Sequence, residues 1–427
     1  MNLKNLENWR CLMLPTKKLY FVSLLILISS SLKAQEILSL DSVLSNIKSN
    51  NSELKMYQET IKSKDAIIGS SSAWMAPMVG VGTFMTPYNN FSRPTSQQDG
   101  SLMLVAEQKI PNPIKIKANK SFLEQQSNIT KQAYADSYND LRAMARSNYY
   151  QVVTEMQKLN FLDNNLNTLR NLKKLAEIRY TYNQAGLSQI YSMEAKIYEL
   201  QNKITSTNAN INIGKIKLNT LMNRPKDIDF LVDTSEYHYS KNIENNDLGL
   251  AENRSSVKMI DAQIKSLSLE NKMIAAESKP EFNVQFNHMQ TYNTGKTNQF
   301  SLMGGITIPI VPWASKSYRA RLRANQFDAF AMDYQKENLI NNLIGQIKTQ
   351  ETHLVHMQIE LKVYNQKILP AMRKSYETLL LNYQENTANI LDVLNSWKEL
   401  NDSQINYIIL LNDYYQTLAE YEKNVEN

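Results

Sequence analysis

The chain has 427 residues with only 11 Gly and 11 Pro, which favours long uninterrupted helices over a loop-rich fold. Its mean hydropathy of −0.44 excludes a bundle of membrane helices. Most of the formal +6 charge sits in residues 1–34, where five Lys/Arg stand against one acid; the remaining +2 is no nucleic-acid footprint.

The N-terminus reads as a secretory signal peptide, residues 1–34. Lys17 and Lys18 precede the apolar run Leu19–Leu32, and Ala34/Gln35 offers a small residue for cleavage. The run is short for a membrane span. Translation can start at Met1 or Met13. The single cysteine, Cys11, lies before the apolar run, so the mature chain is expected to hold no thiol, disulfide or lipidated cysteine.

Residues Leu40 to Gly69 follow as a helix with Asp41 as candidate N-cap. The period then changes. Val79, Val81 and Met85 mark a strand over Met78–Thr86, Tyr88–Gly100 has loop composition, and Leu102, Leu104 and Ala106 mark a second strand. A helical pattern runs from Lys117 to about Tyr182, and a shorter helix returns over about 188–222. Asn223–Asp247 is a mixed connector. Further on, Phe282, Val284 and Phe286 alternate with Asn283, Gln285 and Asn287. After a turn at Asn293-Thr294-Gly295-Lys296, Phe300, Leu302, Ile306 and Ile308 alternate with polar neighbours. One apolar and one polar face fits a half-buried hairpin or a membrane β-barrel strand. A second long helix spans Lys316 to about Tyr383, and a second returning helix about 389–424. Each long helix of some 66 residues would extend about 100 Å. Trp397, Leu400, Gln404, Tyr407, Leu411, Tyr414, Leu418 and Tyr421 alternate in threes and fours, the spacing of coiled-coil packing.

The chain is thus written twice. Ile110-Pro111-Asn112-Pro113 has its counterpart at Ile308-Pro309-Ile310-Val311-Pro312, and Tyr182-Asn183-Gln184-Ala185-Gly186-Leu187-Ser188 lies 201 positions before Tyr383-Gln384-Glu385-Asn386-Thr387-Ala388-Asn389. We expect a first repeat over 38–232 (strands about 77–109, turn about 183–188), a connector over 233–246, and a second repeat over 247–427 (strands about 281–310, turn about 384–389). Four strands cannot close a barrel, and an open edge in lipid leaves backbone groups unpaired at several kcal/mol each. If the strands span a membrane, several chains must share one barrel.

This order resembles the TolC-like outer-membrane efflux proteins over about 38–425. The segment from Tyr383 through Thr387 to Ile390-Leu391-Asp392-Val393-Leu394 is similar to that family's periplasmic-tip turn, in which Thr and Asp-Val-Leu open the last helix; Gly186, Leu187 and Ser188 form the matching turn. Glu107 to Pro113 resembles its strand-to-helix proline swivel, so Pro111, Pro113, Pro309 and Pro312 are the swivel candidates. The resemblance implies a mixed α and β membrane protein. It would be a homotrimer whose four strands per chain build a shared outer-membrane barrel, with long helices forming a coiled-coil periplasmic barrel. It also implies outer-membrane lipid around the strands, a periplasmic adaptor, and an inner-membrane pump of the RND or ABC kind.

At the tip, the resemblance makes Asp392 part of a three-fold carboxylate ring, with Asn395 one turn away; an ordinary first-turn Asp is the plainer account. Ala388 stands where the family often has a basic residue, and Asn395 where it often has a second acid, which implies a less tightly latched tip. Tyr383 is a candidate for contacts between protomers, or packs at its helix end. His353 and His356 share a helix face beside Met357, but no third ligand completes a metal site. The 18 Met read as adaptable packing. Arg319, Arg321 and Arg323 suit phosphate, lipid headgroups or an adaptor. No catalytic constellation, nucleotide loop or cofactor motif is present. The leading expectation is a passive exit duct for efflux. A type I protein-secretion outlet shares the fold, and a soluble periplasmic coiled-coil scaffold is the rival of another class.

Overall fold

The computed structural model describes residues 37–88, 100–183, 185–233, 247–292 and 295–426. The expected signal peptide, Cys11, most of the Tyr88–Gly100 loop, Gln184, His238, Asn293-Thr294 and residues 234–246 of the connector lie outside these.

Strand β1 (Ile37–Leu38) leads into α1 (Leu40–Asn50) and α2 (Ser52–Ile68). The expected single helix is therefore two. Ser39, not Asp41, caps the first: its hydroxyl accepts from the Ser42 backbone at 3.3 Å, and Asp41 sits inside the first turn. Asn51 breaks the helix in an extended conformation. Its amide oxygen caps α2 through the Glu53 and Leu54 N–H groups while its Nδ2 donates to the Leu221 carbonyl at 2.8 Å. That distant carbonyl offers the side chain a partner no local pattern announces.

Strands β2 (Met78–Phe84) and β3 (Ser101–Ile110) precede α3 (Pro113–Tyr180), a 68-residue helix about 100 Å long. It starts earlier than expected because Pro113 occupies the first helical turn and Asn112 caps it, accepting from Ile114 N at 2.9 Å. The chain reverses into α4 (Leu187–Leu221). Gly214 allows close approach to α3: a Cβ there would lie 2.4 Å from Val152 Cγ2. Within the expected connector, β4 (Leu231–Val232) pairs in parallel with β1, an unanticipated link.

The element order then recurs: α5 (Asp247–Asn253), α6 (Ser255–Ala276), β5 (Glu281–Thr291), β6 (Gln299–Thr307), α7 (Pro312–Val363) and, after a π-helical turn at Tyr364–Ile368, α8 (Leu369–Gln384) and α9 (Ile390–Val425). The second long helix is thus interrupted. Pro370 lacks an N–H and crowds the preceding turn, and the wider π turn, with Leu369 N–H reaching the Tyr364 carbonyl, absorbs the conflict.

The four longer strands form one antiparallel sheet, β2-β3-β5-β6, with β2 and β6 as edges. The helices pack into a bundle in which α3 meets α2, α4, α6 and α9, while α7 meets α5, α6 and α9. One core lies around Tyr149, Tyr150, Tyr414 and Tyr415, with Tyr150 and Tyr415 stacked at 4.8 Å. A second, nearer the turns, gathers Leu162, Leu169, Met193, Val393 and Trp397. The coiled-coil positions on α9 that recur in threes and fours are buried or half-buried. Among the described residues, no helix is long and apolar enough to cross a membrane.

Candidate functional sites: a two-faced sheet and a pair of tip turns

Strand pairing decides which side chains share a face. Val81 pairs with Leu104, Ala106 with Phe286, Phe286 with Leu302, Phe282 with Ile306, and His288 with Phe300. This face is apolar and open, with Val79, Phe300 and Leu302 about 70% exposed. The opposite face is a hydrogen-bonded ladder. Asn283 Nδ2 donates to Glu107 Oε1 at 3.2 Å, Gln285 Nε2 to Asn287 Oδ1 at 2.9 Å, and Asn287 Nδ2 to Ser301 Oγ at 3.0 Å. Gly305 leaves room for this ladder: a Cβ there would fall 2.1 Å from Asn283 Oδ1 and push the amide aside. Asn287 and Ser101 are buried. A soluble hairpin would cover its apolar face and wet its polar one; this sheet does the reverse.

The proline junctions differ. Asn112, between Pro111 and Pro113, also donates from Nδ2 to the Pro280 carbonyl at 2.9 Å, binding the first junction to the start of β5. At the second, Val311 supplies no side-chain cap to the helix opened by Pro312, and Ile308, Ile310 and Trp313 are exposed around Pro309. Just beyond, Arg319 and Arg323 are exposed, and Arg321 pairs with Glu277 at 2.7 Å.

At the far end of the bundle the two turns lie side by side. Asn386 has a positive φ of 63°; its N–H reaches the Tyr383 carbonyl and the Thr387 N–H the Asn382 carbonyl, a helix-closing pattern. Thr387 Oγ1 donates to that same Asn382 carbonyl at 2.9 Å. Thr387 therefore closes α8 and does not open the last helix; Asn389 does, accepting from Leu391 N at 3.2 Å. The first turn also places an Asn at positive φ, Asn183 at 54° with its N–H on the Tyr180 carbonyl at 3.0 Å, and Gly186 opens α4 with its N–H held by Gln189 Oε1 at 3.1 Å. Leu187, Ser188, Asp392 and Asn395 are exposed, the last two on one face of α9.

Tyr383 is 2% exposed, so its burial fits packing at its own helix end. Arg179, from the last turn of α3, lies over its ring with the guanidinium carbon 4.1 Å from the centroid and donates to the Gln384 carbonyl at 2.8 Å. Burial raises the Tyr383 phenol above its ordinary pKa and Arg179 opposes the rise. Arg179, Gly186, Gln189, Tyr383, Ala388 and Asn389 line one shallow cleft spanning both turns. Sequence reasoning missed Arg179 because a cation in the last turn of a helix ordinarily complements its own carbonyls.

His353 and His356 are exposed on α7, and His356 Nε2 lies 3.8 Å from Glu360 Oε2. Among the described residues no group of three or more His, Cys, Asp or Glu could hold a metal.

No family model matches the chain, and no curated protein matches its sequence. Solved structures do match its fold. The outer-membrane channel OprN superposes with a TM-score of 0.74 at 14% identity, over 90% of this chain and 89% of that one. CusC, whose structures concern transmembrane channel formation, gives 0.74 at 12%, over 90% and 91%. The outer-membrane protein VceC of Vibrio cholerae gives 0.70 at 12%, over 90% and 95%. At these identities the likeness is one of fold.

Proposed function

We propose that this chain, built on the TolC-like outer-membrane channel fold, is the exit duct of an export machine. The observation that carries the reading is the inside-out sheet, whose edge strands β2 and β6 have no further strand partner among the described residues. Three antiparallel steps separate β2 from β6, so they run in opposite directions. The β6 edge of one copy can therefore pair antiparallel with the β2 edge of the next, leaving no open edge in lipid. The helices attached to those edges are likewise uncovered: Met56 and Ile67 on α2, Phe327, Phe330 and Tyr334 on α7. Ring closure brings these faces together. Three copies, as the resemblance implies, give a twelve-stranded barrel from the four-stranded sheet.

In this reading the recurring element order reflects a duplicated unit. The apolar face meets outer-membrane lipid and the ladder of Glu107, Asn283, Gln285 and Asn287 lines a wet lumen. The bundle crosses the periplasm, and the turns at Gly186–Ser188 and Tyr383–Asn395 dock on an adaptor that couples the duct to an inner-membrane pump. Asp392 and Asn395, exposed on one face, would come together about the three-fold axis. The chain opens passively, through a packing change at the tip. A soluble scaffold is disfavoured, because it would leave this apolar sheet face in water.

Electron cryo-microscopy of the protein extracted in detergent or held in a nanodisc tests this. The expected particle is a three-fold tube with a lipid-embedded band at the sheet end and Asp392 at the opposite opening. A monomeric or dimeric rod without a membrane band would overturn it.

A further inference from the structure

We infer that the cleft beside the π turn is a binding site for a small organic anion that carries an apolar ring. The cleft holds about 610 Å³ and lies between α3, α9 and the joint of α7 with α8. That volume falls within the range of small-molecule sites. Its walls belong to one chain, so the site goes beyond the duct reading and does not depend on ring closure.

The apolar part of the ligand is set by Phe161 from α3, Leu369 and Pro370 from the joint, and Tyr407 from α9. A ring laid against them leaves water. The charged part is set by the donors. Gln404 is 8% exposed, and its Oε1 accepts from Asn165 Nδ2 at 2.7 Å. Among the described residues its Nε2 has no acceptor, although a side chain buried so far ordinarily satisfies both ends of its amide. Gln404 lines the cleft, and an anionic oxygen placed there would accept from it. Arg373 and Lys374 line the same cleft from α8, and neither forms an ion pair among the described residues. One carboxylate among the described lining residues, Glu377, stands against them, so the balance favours an anion.

The π turn adds a matching acceptor. The Leu369 N–H goes to the Tyr364 carbonyl and Pro370 has no N–H, so the Asn365 carbonyl loses the donor a regular helix would give it. Asn365 also lines the cleft, which suits a ligand with a hydroxyl besides its anionic group. An occupant that touches Phe161 on α3 and Leu369 at the joint braces one against the other. The irregular turn is thus the feature that shapes the site, and binding stiffens it.

Isothermal titration of the full-length protein in nanodiscs with a hydroxynaphthalenesulfonate tests the site, with hydrogen exchange measured in parallel. Wild type should bind one probe per chain and slow exchange across Tyr364–Leu369. The neutral sulfonamide of the same ring should bind about tenfold more weakly or worse, as should the probe with Arg373→Ala/Lys374→Ala, since each loses charge-assisted hydrogen bonds. Gln404→Glu, which keeps the acceptor for Asn165 and replaces the donor, should weaken the probe similarly. Glu377→Gln should tighten it, and this exposed substitution decides the matter if the buried variant does not fold. Lys362→Ala, an exposed cation on α7 outside the cleft, should bind like wild type. No saturable binding, equal binding of the sulfonamide, or an Arg373→Ala/Lys374→Ala protein that binds like wild type would overturn the inference. So would binding that leaves exchange at the π turn unchanged. None of these outcomes touches the duct reading, which the particle's symmetry and membrane band decide.

Discussion

The two long helices α3 and α7 begin alike, each with a proline in its first turn after a strand, yet they live in different surroundings. Helix α3 buries 17 side chains. Helix α7, with 52 residues, buries six and leaves Trp313, Phe327, Phe330 and Tyr334 on one stripe at 60% exposure or more. One is finished inside its own chain; the other carries the same kind of apolar residue uncovered by any of the described residues. A helix pattern states that a face wants burial. It does not state whether the cover comes from the same chain or from a copy.

The sharpest way to break this comparison is to charge the free stripe. Phe330→Asp with Tyr334→Asp should abolish the oligomer while helicity survives, as read by light scattering and circular dichroism. A persisting trimer would mean that α7 is not an interface. A smaller effect separates the helices by truncation. Leu169→Ala on α3, where Leu169 is fully buried, should cost about 2–5 kcal/mol. Val355→Ala on the exposed side of α7 should stay within about 0.5 kcal/mol. Hydrogen exchange of the assembled protein distinguishes them, and equal losses would erase the contrast.

The smallest effect concerns the charged cluster around Asp136 on α3. Burial chiefly, and Asp140 next, hold the Asp136 carboxyl above its ordinary value of 3.8, with Glu426 adding to the rise and Arg254 and Ser255 opposing it. The folded state thus binds this proton more tightly than the unfolded chain. Its contribution to stability is fully present below about pH 3.8 and is lost as pH rises through the higher folded value. Asp136→Asn should therefore flatten the decline in melting temperature above pH 4, measured as thermal melts across a pH series. An unchanged slope would show that Asp136 titrates normally.

Much of this was legible from the residues. Alternation in Phe282–Phe286 and Phe300–Ile308 marked the strands, and a spacing of threes and fours marked α9, because each period puts one face against one environment. The missed features depend on partners distant in the chain. Asn51 breaks a helix because the Leu221 carbonyl takes its amide, and β4 forms because β1 lies beside it. Arg179 resembles any helix-ending cation until Tyr383, about two hundred positions on, arrives underneath it. Pro370 lies inside the run read as one unbroken helix, and a proline within a strong helical pattern predicts a disturbance without specifying that it takes the form of a π turn.

That π turn makes the end of the second hairpin a lever. Below it, α8 is a straight arm of 16 residues, about 24 Å long. A tilt of about 10° at the turn would carry the end of the arm about 4 Å, more than a hydrogen bond can stretch. The widened turn already departs from regular helical bonding, so a bend there disturbs fewer contacts than one elsewhere along the rod. Small rotations near Tyr364 are thereby amplified at Gln384, the residue whose carbonyl Arg179 grips.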